Sequence, residues 1–453
     1  MESNMIKLFT VEEAQNTILR RERALEPVVP PALQASLDRL FGHGASPETA
    51  VAHILRDVRA KGDAALRDWT LKIDGVQMPA LHVDPADIET AVTRIPAELA
   101  DALRFAARRI RQFHEMQPLP NWTTSEMGGT LGQRTTPIRR VGVYVPGGAA
   151  PLPSSLLMSV IPAQVAGVAE IIVATPPGRE TGDVADVILA AARICGIKTV
   201  VKLGGAQAIA AMAFGTDSVP RVDKIVGAGG LFTTLAKRQV YGIVGIDGLY
   251  GPTETAVIAD DSANPAWVAA DLLAQAEHDI LATAVLFTPS RPFAEAVQVE
   301  IGRQLESLSR AGIIVQSLNG QGGIVLTADL DEACQLASDF AAEHTCIAAA
   351  NPEAYIDKIP NAGGLFIGER SFEVLGDYVA GPSHVMPTGS TARFASPLNV
   401  LDFVKISSII QLDDATSAKL SPIAAQIAQA EGLTAHQNAA RKRIGDERLR
   451  IED

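Results

Sequence analysis

The chain has 453 residues, of which 47% are hydrophobic, 20% charged and 5% aromatic, and its formal net charge is -13. This length exceeds one ordinary domain, and the many small and branched apolar residues suit an α/β enzyme with buried parallel strands. The acidic charge argues against nucleic acid as a partner, because neutralising phosphates needs a basic surface. No apolar run reaches the roughly 18 residues that a membrane span needs, and three scattered cysteines fit a reducing compartment. We therefore expect a cytoplasmic enzyme without a membrane partner.

The predicted elements change character several times along the chain. Residues 1–39 indicate an N-terminal arm, made of a short helix and a proline-containing connector. From Pro47 to about Gln117, apolar residues recur three and four apart, which predicts amphipathic helices. Between Arg140 and about Gly251 the strand-like runs RVGVYV, EIIVAT, TVVKL and DKIVGA alternate with helical runs. This alternation predicts a parallel sheet wound in the Rossmann manner.

A second α/β series begins at TAVIAD and continues through TAVLFT, a long helix, the strand-like run IIVQ and a further helix before Glu343. It predicts a second parallel sheet. After about Pro397 the pattern is helical, from NVLDFVKISSII to the carboxyl terminus, with no further strand-like run. We interpret this part as a helical tail.

Two polar pairs interrupt the second series. The helix that begins near Pro265 places Gln275 and His278 three residues apart, so we expect both on one face, at metal-ligand spacing. A solvated helix surface is the commoner explanation of such a pair, and glutamine is an uncommon zinc ligand. Glu343 and His344 offer two groups for proton transfer near neutrality. Their joint action requires a turn or helix end here, since neighbours in a strand face opposite sides.

Two further segments carry polar residues. The stretch 364–394 is rich in Gly, Pro, Ser and Thr and contains Asp377 and His384. Such a long irregular stretch in a compact enzyme is more often functional than accidental. Glu431 and His436 lie five residues apart in the tail. By themselves they indicate only a helix surface.

Glycine clusters follow three predicted strands, in YVPGG, VKLGG and VGAGG. Open α/β sheets bind ligands outside the carboxyl ends of their strands, where these clusters are expected. None matches GxGxxG, so a nucleotide site and plain tight turns both stay open.

Taken together, these segments resemble the histidinol dehydrogenase family from about Arg140 to Ala440. The matching segments, in the family's order, are VGVYVPGG, GGAQAIAAMAFGTDSVPRVDKIVGAGG, AKRQV, DLLAQAEHD, AAEHTCI, GDYVAGPSHVMPTGSTARFASPLNV and LTAHQNA. The resemblance implies one zinc ion per subunit, with the ligands Gln275, His278, Asp377 and His436. It implies acid and base roles for Glu343 and His344. It implies substrate contacts at Thr253, His384 and Glu431, and NAD contacts at Tyr144, Gln207 and Gly230.

The activity that this resemblance implies is the four-electron oxidation of L-histidinol to L-histidine through an enzyme-held aldehyde, with two NAD, at the end of histidine biosynthesis. His344 would take the alcohol proton, Glu343 would activate water, and Glu431 would bind a cationic group of the substrate. Cys346 is a weaker candidate for a covalent role, because a reactive thiol needs a setting that stabilises its thiolate.

The resemblance also implies a fold and an assembly. The fold is α/β, with two incomplete Rossmann-like domains built on parallel sheets, an N-terminal arm and a helical C-terminal tail. The expected bounds are 1–39 for the arm, 40–143 with 253–398 for a first domain carrying the metal and catalytic residues, 144–252 for the nucleotide domain, and 399–453 for the tail. The expected assembly is an intertwined homodimer in which His436 serves the partner's active site.

Some positions depart from the family's pattern. Thr253 replaces a serine and keeps the hydroxyl, and Ala342 precedes the Glu-His pair in place of proline. Ala228 and Gly230 replace a proline and an asparagine, which removes a fixed φ and a side-chain amide and bears on NAD affinity.

Three alternatives remain. The chain could be a relative that oxidises another small alcohol such as a dihydroxypropanesulfonate, against which the carboxylate of Glu431 argues. It could be a zinc hydrolase in which Glu343 activates a metal-bound water, or a binding protein without catalysis.

Overall fold

A computed structural model describes residues 6–20, 29–147 and 151–444. Residues 1–5 and 21–28 of the expected arm, residues 445–453 of the expected tail, and Gly148 of the YVPGG cluster lie outside these residues. The strands are β1 Leu8–Thr10, β2 Trp122–Thr124, β3 Thr130–Pro137, β4 Arg140–Tyr144, β5 Glu170–Thr175, β6 Val200–Lys202, β7 Lys224–Val226, β8 Gly245–Ile246, β9 Glu254–Ala259, β10 Thr283–Thr288, β11 Gly323–Leu326, β12 His344–Ala348, β13 Gly364–Ile367 and β14 Val404–Gln411.

The helices are α1 Val11–Asn16, α2 Pro31–Phe41, α3 Pro47–Lys61, α4 Asp63–Asp74, α5 Pro85–Thr90, α6 Ala97–Glu115, α7 Pro153–Val165, α8 Asp186–Ile194, α9 Gly205–Phe214, α10 Leu231–Val240, α11 Pro265–Ala276, α12 Arg291–Leu305, α13 Ala311–Gly320, α14 Leu330–Phe340, α15 Glu373–Tyr378, α16 Asp414–Ala430 and α17 Thr434–Arg441. None of these described helices is long and apolar enough to cross a membrane.

The chain forms two compact units. The first unit runs to Met116 and continues over Ile138–Phe403, and the second contains Gln117–Pro137 and the chain from Val404 onward. Two sheets belong to the first unit, and a third belongs to the second.

Both sheets of the first unit are parallel and share one winding pattern. The five-stranded sheet has the order β6-β5-β4-β7-β8. The six-stranded sheet has the order β1-β11-β10-β9-β12-β13, in which β1 is an added edge strand beside the same arrangement. Taken in chain order, each sheet starts in the middle, grows to one side and then to the other. This is the doubly wound order 3-2-1-4-5 of Rossmann-type sheets, so the predicted fold class is confirmed.

Burial explains why the strands of both sheets are almost entirely apolar. In β9, Val257 and Ala259 face one core, whereas Ala256 and Ile258 face another on the opposite side. Alternate residues of a strand point to opposite faces, so a strand covered on both sides must be apolar throughout. Helices α3, α4, α9 and α10 enclose the core of the five-stranded sheet. The expected domain bounds assign residues 40–143, which include α3 and α4, to the domain that carries the metal and catalytic residues. These bounds remain a prediction.

Two local predictions were wrong. The run IIVQ lies within helix α13, and the strand of that region is β11, which begins at Gly323. The run KISSII, expected to be helical, belongs to strand β14, which pairs antiparallel with β3 in the second unit, from Val404 opposite Pro137 to Gln411 opposite Thr130. Helices α16 and α17 follow it, as the tail was expected to contain.

Candidate functional site

The polar residues singled out in the second α/β series meet at the amino edge of the six-stranded sheet. Thr253 directly precedes β9 and Glu343 directly precedes β12, and these two strands are neighbours with His344 opposite Thr255. Helix α11 returns from the carboxyl end of β9, so its last turn carries Gln275 to the same edge. Open α/β sheets usually bind ligands at the opposite, carboxyl edge. This cluster therefore lies at an unusual place for its topology.

Glu343 is held by two donors of the neighbouring strand. The Thr253 hydroxyl lies 2.5 Å from Glu343 Oε2, and the backbone N–H of Glu254 lies 3.3 Å from the same oxygen. Only 8% of Glu343 is exposed. This burial raises the pKa of Glu343 to about 7, although His344 and the Thr253 hydroxyl oppose the shift. A carboxyl group with such a pKa can both release and accept a proton near neutrality.

The ring of His344 has a defined orientation. Its Nδ1 lies 3.2 Å from the carbonyl oxygen of Glu254, so this nitrogen carries the proton and donates to that oxygen. Nε2 is then the basic nitrogen, and it faces Asp377 Oδ1 at 3.5 Å. Burial alone would lower the pKa of His344, but the carboxylates of Glu343, Asp377 and Glu373 outweigh it and raise the pKa.

Asp377 lies on the short helix α15 among three histidines. Burial by itself would raise its pKa, but the rings of His344, His384 and His278 outweigh burial and lower it. His384 Nδ1 lies 2.8 Å from the backbone oxygen of Asp377, and its Nε2 lies 3.3 Å from the Ser155 hydroxyl of helix α7. The segment after α15 is thereby fixed between the cluster and the helix that follows β4.

Gln275 is almost fully buried, with 1% exposed, and its amide links three groups of the cluster. In the orientation that gives every amide atom a partner, Oε1 accepts from the Glu254 N–H at 2.7 Å and from the Thr253 hydroxyl at 2.6 Å. Nε2 donates to Glu373 at 3.2 Å. The Thr253 hydroxyl has one proton, so when it donates to Gln275 a protonated Glu343 donates to Thr253. Thr253 thus connects the protonation of Glu343 to the Gln275 amide.

The structure corrects two expectations about this region. Helix α11 ends at Ala276, and His278 lies exposed in the following turn while Gln275 is buried, so the two do not share a helical face. The stretch 364–394 is also not irregular throughout, because it contains strand β13 and helix α15. By contrast, a change from helix to strand does occur at Glu343. Helix α14 ends at Phe340, Ala341 adopts a left-handed φ of 52°, and β12 begins at His344.

The residues expected to contact a nucleotide meet at the carboxyl edge of the five-stranded sheet. Tyr144 ends β4, and its hydroxyl accepts from the Gly205 N–H at 3.1 Å. Gln207 lies in the first turn of α9, and Gly230 precedes the first residue of α10. The VKLGG and VGAGG clusters follow β6 and β7, as expected. Gly227 is required here, since its φ is +109° and a Cβ would lie 2.2 Å from the backbone oxygen of Tyr144.

The last two candidate residues belong to the second unit. Glu431 caps the carboxyl end of α16, and His436 lies in the first turn of α17. Gly432, with a φ of +72°, separates the two helices. Both side chains are exposed.

Sequence reasoning missed three buried or half-buried acids. Glu254 and Glu373 are 5% and 1% exposed and contact the Gln275 cluster, and Asp74 accepts from Gln207 at the nucleotide edge. A charged residue within an otherwise apolar strand, as in ETAVIA, is rarely buried without a partner. That signal could have identified Glu254.

The described residues contain no group of three His, Cys, Asp or Glu side chains arranged to hold a metal ion. Four zinc ligands are proposed. Gln275 would bind through an amide, which is not one of these four residue types, and His436 belongs to the second unit. Only His278 and Asp377 of the first unit are of these types.

Comparison with known proteins gives concordant matches. A family described as Histidinol dehydrogenase matches residues 43–444. The histidinol dehydrogenase of Deinococcus radiodurans is 50% identical over 418 residues, which cover 92% of this chain and 95% of that protein. The histidinol dehydrogenase of Nitrosospira multiformis is 48% identical over 400 residues, or 87% and 90% of the two chains. The crystal structure of histidinol dehydrogenase from Elizabethkingia anophelis matches with a TM-score of 0.89 and 32% identity, covering 98% of this chain and 99% of that one.

Proposed function

This chain belongs to the histidinol dehydrogenase family, and we propose that it oxidises L-histidinol through the aldehyde to L-histidine with two equivalents of NAD, as the last part of histidine biosynthesis. The observation that carries this proposal is the contact of Glu343 with Thr253 and of His344 with Asp377 at one edge of the sheet. The two oxidations need two bases of different character, one for the alcohol and one for the water that adds to the aldehyde. The cluster supplies both.

In the first oxidation the neutral ring of His344 takes the proton of the substrate's alcohol, and because the neighbouring carboxylates raise the pKa of this ring, the step should become faster with rising pH. Its Nδ1 is committed to the Glu254 carbonyl, so Nε2 is the nitrogen that receives the proton. The carboxylate of Asp377 on that side stabilises the imidazolium that results. NAD accepts the hydride of each oxidation.

In the second oxidation Glu343 activates the water that adds to the aldehyde. Its pKa of about 7 makes the carboxylate a base near neutrality, and the water contributes the second oxygen of the product carboxylate. Thr253 and the Glu254 N–H fix the carboxylate in position. Cys346 takes no part, because burial raises the pKa of its thiol well above the usual value and keeps it protonated.

The donor set fits a zinc ion held by Gln275, His278, Asp377 and His436, one ion per subunit. Zinc accepts nitrogen and oxygen donors of these kinds. Burial raises the pKa of Glu373 to about 8 and that of Glu343 to about 7, and a divalent cation beside them would favour their charged forms. When bound, zinc acts as a Lewis acid toward the substrate's amino and hydroxyl groups.

The nucleotide edge fits NAD. Gln207 is 1% exposed, and its Oε1 has no hydrogen-bond partner among the described residues. Helices α9 and α10 both begin at this edge, at Gly204 and Gly230, and helix amino termini favour phosphate groups. Tyr144, Gln207 and Gly230 are the proposed NAD contacts.

The proposed assembly is a homodimer with intertwined active sites, in which His436 and Glu431 reach the partner's site and Glu431 binds a cationic group of the substrate. Both residues are exposed in the single chain. The second unit also exposes large apolar side chains, which are Ile406, Ile410, Ile423 and Ile427. Exposed apolar surface of this kind favours an interface between chains. The free, buried cysteines suit a reducing cytoplasm.

The activity is tested by the absorbance of reduced nicotinamide after adding L-histidinol and NAD. Two NADH per L-histidine formed are expected, and sulfonated alcohols should not react. Glu343→Gln should impair oxidation of the isolated aldehyde more than His344→Asn does. Equal loss of both half-reactions in the two variants would contradict the division of roles.

The metal is tested by elemental analysis of the purified protein. Asp377→Ala and His278→Ala should each lose zinc and nearly all turnover, since each removes one of four ligands. Glu277→Gln, a change of the carboxylate beside His278, serves as the control and should keep zinc. Stoichiometric zinc in Asp377→Ala or His278→Ala would remove that residue from the ligand set.

A further inference from the structure

Strand β5 is not followed directly by the acidic residue that usually accompanies this topology. In doubly wound sheets that bind NAD, a carboxylate near the end of the second strand accepts hydrogen bonds from the ribose. Here β5 holds that place in the order, and it ends in the residues TPPG, followed by Arg179. The first acids after this strand end, Glu180 and Asp183, are both exposed, and Asp183 pairs with Lys202 at 3.4 Å.

Asp74 brings a carboxylate to this region from another element. It is the last residue of α4, and Gly75, with a φ of +75°, turns the chain back. Gln207 Nε2 donates to Asp74 Oδ2 at 3.4 Å. A Cβ on Gly182, in the turn after β5, would lie 3.4 Å from Val76 Cγ1, so this turn packs two residues from Asp74. Asp74 therefore lies beside the carboxyl ends of β5 and β6.

Electrostatic effects link two other groups of this edge, Arg179 and Tyr144, to Asp74. Burial raises the pKa of Asp74, and the positive charge of Arg179 opposes that shift. Burial also raises the pKa of Tyr144, and the charge of Asp74 contributes to this increase. Asp74 thus shares its surroundings with Tyr144, Gln207 and Arg179.

Two features indicate that a ligand completes this arrangement. A carboxylate at the carboxyl end of a helix is disfavoured by the helix dipole, so local helix stability does not explain Asp74. Gln207 Oε1 is buried beside Gly205 and lacks a hydrogen-bond partner within the described chain. A ligand with hydroxyl groups would satisfy both the carboxylate and the amide.

The geometry points to Asp74 as the residue that binds the ribose hydroxyls of the dinucleotide and selects NAD over NADP. This inference rests on the proposed use of NAD. A carboxylate accepts two hydroxyl donors but repels the 2′-phosphate of NADP. Arg179, whose charge acts on Asp74, would be free to pair with that phosphate once the carboxylate is removed.

The test measures binding of NADH and NADPH to the intact protein by nucleotide fluorescence, together with KM and kcat for NAD and NADP. Asp74→Ser should raise the Kd for NADH about tenfold or more, the usual worth of hydrogen bonds to a charged group, and leave kcat within about twofold. It should bind NADPH more tightly than the parent does. Asp74→Ser combined with Arg179→Ser should lose that gain. Asp68→Ser, an exposed aspartate of the same helix, is the control.

A shift of the NADH to NADPH ratio in Asp74→Ser, reversed in the double variant, supports the inference. An unchanged ratio overturns it, and so does an equal loss of both nucleotides, which would make Asp74 a structural residue. Asp74→Asn keeps an acceptor for Gln207 and should show the same change of preference if folding is intact. If the parent protein oxidises no L-histidinol with either nucleotide, the proposed function fails instead, and the binding ratios still decide the role of Asp74.

Discussion

Lys237 Nζ lies 2.5 Å from Asp247 Oδ1, and the two side chains expose only 2% and 1% of their surface. The same ammonium donates to the backbone oxygen of Gly227 at 2.9 Å, while Asp247 Oδ2 accepts from the Gly227 N–H at 2.7 Å. The buried ion pair thus fixes both backbone groups of the glycine that contacts Tyr144. It holds the turn between β7 and α10, where the resemblance places a nucleotide contact.

Breaking this pair should cost stability and NAD affinity together. Lys237→Met leaves the Asp247 carboxylate buried without its cation, a change that typically costs about 3 to 5 kcal/mol in the free energy of unfolding. KM for NAD should rise more than kcat falls, since the loosened turn lies at the nucleotide edge. Urea denaturation and initial rates measure the two effects.

The control for this prediction is Lys61→Met, which removes the exposed partner of Asp57 and should cost less than about 1 kcal/mol. Lys237→Met combined with Asp247→Leu should recover part of the lost stability, because no charge is then left unpaired. If Lys237→Met were no more damaging than Lys61→Met, the buried pair would not hold the turn.

Restoring the family's asparagine at Gly230 should tighten NAD binding. Gly230 has an extended backbone, with φ of -68° and ψ of 179°, and a Cβ there would meet no heavy atom within 4 Å. Asparagine therefore fits without strain, caps α10 and offers an amide to the nucleotide. Gly230→Asn should lower KM for NAD several-fold with kcat unchanged.

Gly229→Asn is the matched control one residue earlier. A Cβ at Gly229 would lie 2.6 Å from Thr233 Cγ2, so this substitution should disturb the start of α10 and raise KM. An unchanged KM in Gly230→Asn would mean that the missing amide is already replaced by a neighbouring group.

Whether an element could be predicted depends on how far its structure is determined by residues that are neighbours in sequence. Strands such as β4 and β10 were predicted because their short apolar runs are rich in valine and alternate regularly with longer helical runs, which favours a succession of βα units. The prediction of a strand at IIVQ was wrong because a short apolar run beside glycines suits a buried helix equally well. Strand β14 was not predicted because its residues are mostly exposed and form a strand by pairing with β3, which lies more than 260 residues earlier in the chain.

The candidate site shows the same limit. The proposed ligands and the Glu343-His344 pair came from segments that resemble a family, and the structure brings Gln275, Glu343, His344 and Asp377 to one edge. Glu373 and Asp74 carry no local signal, because each acquires its importance from a contact with a glutamine about 100 residues or more away in sequence. Such contacts are visible only once the sheets are assembled.

The stability of the protein should fall with rising pH through the titration of Asp271. Burial, and then the charge of Glu369, raise the pKa of Asp271 to about 7. Its unfolded pKa is near 3.9, so between these values the folded chain holds a proton that the unfolded chain releases. The contribution is therefore fully present below about pH 4 and is lost as the pH rises through 7, by up to about 4 kcal/mol.

Asp271→Asn removes this titration and should exceed the stability of the parent by a wider margin at pH 8 than at pH 5. The free energy of unfolding in urea at the two pH values measures the difference. Asp261→Asn, at an exposed position, should change the two values equally. A parent and Asp271→Asn that differ by the same amount at both pH values would show that Asp271 titrates normally.

The proposed intertwined dimer predicts that two inactive variants restore activity when mixed. His436→Ala and His278→Ala each remove one proposed zinc ligand, and the proposal takes His436 from the partner and His278 from the site's own chain. A heterodimer of the two variants then concentrates both defects in one site and leaves the other site intact. About a quarter of the parent activity should return after random exchange, since half of the dimers carry one intact site.

The control is a mixture of Asp377→Ala with His278→Ala, in which both ligands come from one chain and each site of the heterodimer keeps one defect. This mixture should stay inactive after the same exchange. Subunit exchange is measured with two differently tagged chains, so that an inactive mixture cannot be explained by a failure of the subunits to exchange. If the His436→Ala mixture stays inactive although exchange is complete, His436 acts within its own chain. The zinc ligands would then be unchanged in identity, but each active site would belong to a single subunit.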